Sequence, residues 1–84
     1  MAKKKTRILS YFAVFDPAGK DGYNVSFPDF PGCVTFGKNF EDAQEKAREV
    51  LELWLEELAE QRTKFPLKTH RPIVHEVRVP VAVR

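Results

Sequence analysis

The sequence has a single cysteine, Cys33, so no disulfide can form within the chain, and a reducing cytoplasm is the expected compartment. No apolar run is long enough to span a bilayer. The basic stretch at residues 1–7 is not followed by the apolar segment and small-residue cleavage site of a signal peptide. Internal repeats and low-complexity tracts are absent, which excludes solenoid and fibrous architectures. Carboxylates are scarce outside one segment, where only Asp16, Asp21, Asp29 and Glu76 occur. A two-metal nuclease needs several carboxylates converging on hard cations. Three of these four lie in turn-forming stretches, where aspartate serves the backbone, so nuclease chemistry is not expected. His70, His75 and Cys33 match no zinc spacing. Cys33 has neither a basic neighbour nor a helix N-terminus to form a thiolate. No enzymatic activity, catalytic residue, metal or cofactor is therefore expected.

What the chain does have is enough apolar material for one folded domain over residues 1–84, with 43% hydrophobic and 12% aromatic residues. Lys3, Lys4 and Lys5 make residues 1–6 a basic tail, expected to be flexible and solvated. The strongest signal is a helix from Asn39 to Arg62. Phe40, Ala43, Ala47, Val50, Leu51, Trp54 and Leu58 recur at steps of three and four and share one face. Asn39 is the expected N-cap, with Glu41 and Asp42 at the positive end of the macrodipole. On the opposite face Glu45, Glu49, Glu52, Glu56 and Glu60 form an acidic stripe. Between Glu41 and Glu60 there are eight acids against two bases, whereas the rest of the chain has twelve bases against four acids. The net charge of +2 conceals this division.

Before the helix, Arg7 to Phe15 reads as a strand with two largely apolar faces, as a strand covered on both sides would have. Asp16 to Gly22 is dense in turn formers, and Tyr23 to Phe27 follows as the second strand of a hairpin. Pro28-Asp29-Phe30-Pro31-Gly32 is a stiff loop, with φ fixed at two prolines. Cys33 to Gly37 is a short third strand. After the helix, Ile73 to Val83 alternates, with His75, Val77, Val79, Val81 and Val83 on one face, and Pro80 assigns it to a sheet edge. The expected fold is α+β, of order β-β-β-α-β. A right-handed crossover gives a mixed four-stranded sheet of spatial order 3-2-1-4, with the single long helix on one face. The reverse face of the first strand then lacks a cover. Such a patch marks an interface, so a homodimer or homotetramer is expected, with Tyr11, Phe12, Val77 and Val79 as candidate contacts.

The segment Tyr23-Asn24-Val25-Ser26-Phe27-Pro28-Asp29-Phe30-Pro31-Gly32-Cys33-Val34-Thr35 is distinctive. Together with Tyr11-Phe12-Ala13-Val14-Phe15 and the helix start Phe40-Glu41-Asp42-Ala43, it resembles the HicB-like antitoxins of bacterial and archaeal toxin–antitoxin systems. The resemblance covers residues 7–60 firmly and the last strand loosely. It implies a partial RNase H-like fold. It also implies a partner, a small HicA-like mRNA interferase that cuts RNA with a histidine and is blocked when this chain binds it. Many members carry a C-terminal DNA-binding segment. Only Arg84 follows the expected last strand here, so DNA binding is in doubt. No membrane or small-molecule partner is expected. An alternative is a stand-alone oligomeric binding module of the same fold without a toxin.

Two features have a plain and a functional reading. Phe30 either plugs the end of the core or is an anchor presented to a partner by a stiff loop, where little ordering entropy is lost. The acidic stripe either solvates the helix or, through Glu49, Glu52 and Glu56, steers a basic RNA-binding partner.

Overall fold

The computed structural model describes residues 7–83; the lysine tail at residues 1–6 lies outside the described residues. A hairpin opens the fold. Strand β1 (Val14–Ala18) pairs antiparallel with β2 (Gly22–Ser26), from Val14 opposite Ser26 to Ala18 opposite Gly22. Gly19-Lys20-Asp21 closes the turn, with Gly19 at φ 70°, a conformation open to glycine. β1 thus runs three residues further than the turn formers imply, through Asp16, Pro17 and Ala18. Pro17 lies within it, and because Pro17 has no N–H to give a ladder, β1 is an edge strand. β3 (Val34–Gly37) adds antiparallel to the other side of β2, giving a three-stranded sheet of order β1-β2-β3.

Ile8 to Ala13, expected to be the body of the first strand, enter no ladder. After Ser26 the partner chain turns away. Phe30 N–H donates to Phe27 O and Cys33 N–H to Phe30 O, both at 2.9 Å, and Gly32 takes φ 92°. This folds the Pro28–Gly32 loop back on itself and leaves residues 8–13 without a neighbouring strand.

Helix α1 (Phe40–Glu60) has the expected cap. Asn39 Oδ1 accepts from Asp42 N–H at 2.8 Å, while Asp42 Oδ2 accepts from Lys38 N–H at 3.0 Å, which occupies backbone donors at the helix start. The other end is a Schellman turn. Thr63 N–H reaches Leu58 O and Arg62 N–H reaches Ala59 O, with Arg62 at φ 56°. Ala43 and Ala47 are buried and bring the helix close to the sheet. A Cβ on Gly37 would sit 2.2 Å from the Ala43 backbone, so only glycine permits that approach. Val25, Phe27, Phe30 and Cys33 complete the buried core, with Tyr11, Phe15, Tyr23, Val50, Leu51, Leu55 and Leu58 packed around it.

The reverse face of the sheet is mixed. Because β1 is shifted toward its C-terminal end, that face carries Asp16, Asn24 and Ser26 beside Val14, Val34 and Phe36, the last two 61% and 51% exposed.

The expected fourth strand is not part of this sheet, so the order 3-2-1-4 is not observed. Among the described residues, those after Thr63 form neither helix nor strand. Residues 65–71 run as a strap against the body, and residues 73–83 continue outward as an exposed arm. From Arg71 to Val83 there is no glycine, asparagine or aspartate to reverse the chain, and Pro72 and Pro80 favour extended backbone. The radius of gyration is 17.4 Å, against about 12 Å for a compact domain of this length.

Candidate functional site

Three neighbouring features carry the surface chemistry. The first is the junction of loop and strap. Asp29 sits between two prolines, and its side chain is 3% exposed. Its Oδ1 lies 2.5 Å from His70 Nδ1 and accepts from His70 N–H and the Thr69 hydroxyl, each at 3.2 Å. The His70 ring bond, aided by those from the His70 backbone and Thr69, holds the carboxyl below its ordinary range against the opposing effect of burial. Oδ2 is buried without a hydrogen-bond partner. Beside it, the Tyr11 hydroxyl donates to Pro66 O at 2.6 Å. Burial, then the nearby Asp29 carboxylate, raise the Tyr11 pKa, with Arg7 opposing them, so the hydroxyl keeps the proton it donates. Lys68 bonds Ser10 Oγ at 3.1 Å, and Lys68 and Arg71 lie 5.3 and 5.4 Å from the centre of the Phe12 ring. The strap is therefore fastened from Pro66 to Arg71 and free beyond.

The second feature is the acidic face. Glu49, Glu52 and Glu56 are all exposed and surround Leu53, which is 63% exposed. An isolated apolar side chain ringed by carboxylates is a surface that a basic partner with an apolar contact would match.

The third is an open apolar cleft of about 600 Å³ between residues 7–9 and the C-terminal half of α1. Ile8, Leu9, Leu51, Leu55, Ala59 and Phe65 line it, with Arg7, Arg48, Glu52 and Glu56 at the rim. The three-stranded sheet packs on the helix through β2 and β3, which leaves this part of α1 uncovered.

The structure places the sequence candidates unevenly. Glu49, Glu52 and Glu56 lie together on open surface. Phe30 is 3% exposed, edge-on to Tyr11 at 4.6 Å and to Trp54 at 6.4 Å, so it closes the core. Tyr11 and Phe12 are engaged by the strap, while Val77 and Val79 are 77% and 69% exposed on the arm. Cys33 is fully buried and its pKa is raised by burial. Among the described residues, no three histidine, cysteine, aspartate or glutamate side chains are grouped as a metal ligand set, and no helix is long and apolar enough to cross a membrane. Sequence reasoning missed the Asp29–His70 fastening. Its signal was a carboxylate inside an otherwise apolar, proline-bounded loop, a placement that calls for a donor elsewhere in the chain.

A family model described as the HicB-like antitoxin of bacterial toxin–antitoxin systems matches residues 11–78. The chain is 39% identical over 46 residues to a UPF0150 protein of Archaeoglobus fulgidus, an alignment covering 54% of this chain and 67% of that one. No solved structure matches.

Proposed function

We propose, because this chain belongs to the HicB-like antitoxin family of bacterial toxin–antitoxin systems, that it neutralises a small HicA-like mRNA interferase by covering its RNA-cleaving surface. The family is one of antitoxins rather than enzymes, so the activity is occlusion. The observation that carries this reading is the acidic face of α1, where Glu49, Glu52 and Glu56 stand exposed around Leu53. A surface that binds RNA must be basic. A row of carboxylates on a rigid helix attracts it at long range and competes with phosphate. Phe30 contributes by holding the Pro28–Gly32 loop against Trp54. In this reading the chain acts in the cytoplasm, where mRNA is, and adopts a partial RNase H-like fold as a homodimer or homotetramer. Tyr11, Phe12, Val77 and Val79 are the residues assigned to self-contact.

Changing Glu49, Glu52 and Glu56 together to glutamine tests the toxin reading against a co-expressed HicA-like toxin. The expected result is slower association and a shallower dependence of rate on salt, with the helix content unchanged. An unchanged rate and unchanged salt slope would reduce the stripe to a solvated face.

A further inference from the structure

The arm is out of keeping with the rest of the molecule. Ile73, Val77, Val79, Val81 and Val83 are between 69% and 88% exposed, yet with His75 they share one face of an extended segment whose other face carries Val74, Glu76, Arg78, Pro80 and Ala82. That alternation suits a half-buried strand, and an unpaired apolar strand in water is a template for pairing. The same molecule has a stretch whose backbone lacks a strand partner and an open cleft beside it. Ile8–Ala13 are outside any ladder, and the cleft beside them exposes Leu51, Leu55 and Ala59 of α1. The arm cannot fill its own cleft, because the strap is fastened as far as Arg71 and no residue beyond it supports a reversal.

We propose that residues 73–83 of one copy lie in the cleft between residues 7–9 and α1 of a second copy, pairing along Ile8–Ala13, and that the exchange is reciprocal. The inference rests on the self-association part of the reading above and not on its toxin part. Four observations select a second copy as the occupant. The arm has the periodicity of the missing strand. It leaves the body from a fixed root. At about 3.3 Å per residue its eleven residues span roughly 36 Å, about the width of one such body. Each copy offers one arm and one cleft, so two copies close on a two-fold axis with none left over.

The test uses the full chain, with Val77→Asp and Val79→Asp combined as the arm variant. Both positions are exposed in the single copy, so its helix content should not change, which circular dichroism checks. Light scattering is expected to give a dimer for the wild type and a monomer for the variant. Amide hydrogen exchange should show residues 8–13 and 74–82 protected in the wild type and both unprotected in the variant. A dimer that persists in the variant, or residues 8–13 exchanging alike in the two proteins, overturns arm exchange and leaves self-association through another face. A wild type that is monomeric overturns both. Protection of residues 8–13 gained only on adding a toxin also overturns the proposal, since it gives the cleft to that partner.

Discussion

At the scale of single residues, Asp29 and Phe30 divide the work of one loop. Phe30 fills the space between Tyr11, Phe27 and Trp54, and replacing it by alanine should cost about 3–5 kcal/mol. Urea denaturation reads this as a lower midpoint, and an unchanged midpoint would remove Phe30 from the core. Asp29 fastens the strap through His70 and Thr69. Its folded-state pKa lies below the ordinary 3.8. The stabilisation it gives is therefore complete above that value and is lost as pH falls through the lower folded value. The amides of Thr69 and His70 should accordingly shift together in NMR spectra with a midpoint below pH 3.8, and Asp29→Asn should abolish that titration. A midpoint at or above 3.8 would contradict the fastening. The sequence left Phe30 open between a core plug and a partner-facing anchor, and its burial places it in the core; the Asp29–His70 contact was not legible, because 41 positions separate the two and no local pattern links them.

At the scale of elements, the helix is the best specified. Its cap, its alanines and its acidic face all follow from spacing, since a period near 3.6 places residues on faces wherever the helix goes. Its far end holds a correctable strain. Arg62 occupies the left-handed position of the Schellman turn at φ 56°, where glycine is at home. Arg62→Gly should raise stability by about 0.5–1 kcal/mol, seen as a higher thermal midpoint. A lower midpoint would mean that the arginine side chain makes a contact of more value than the strain. Gly37→Ala should have the opposite sign and a larger size, because the new methyl meets the Ala43 backbone rather than a movable side chain. The strands were less well specified. β1 starts at Val14 and not at Arg7, since a strand exists only where a partner runs beside it, and the proline loop takes that partner away.

At the scale of the whole molecule, a packed body and an outlying arm have separate energetics. Val77 and Val79 touch no core in the single copy, so changing both to serine should alter the unfolding free energy of the monomer by less than about 0.5 kcal/mol. Any concentration-dependent part of the stability should fall, because association adds to stability by mass action. Denaturation of both proteins across a range of concentrations separates the two quantities. A large loss at the lowest concentration would show that the arm packs on its own body.

The order of residues along this chain was enough to specify one capped amphipathic helix, a hairpin, a stiff proline loop and a polarised charge. Each depends on neighbours a few positions apart, and local sterics and periodicity encode such relations directly. The destination of the last eleven residues was settled at longer range. Their alternation says that they are built to pair, but not with what. The strap fixed to Tyr11 and Asp29, and the lack of any turn beyond it, direct them away from the sheet they were expected to join.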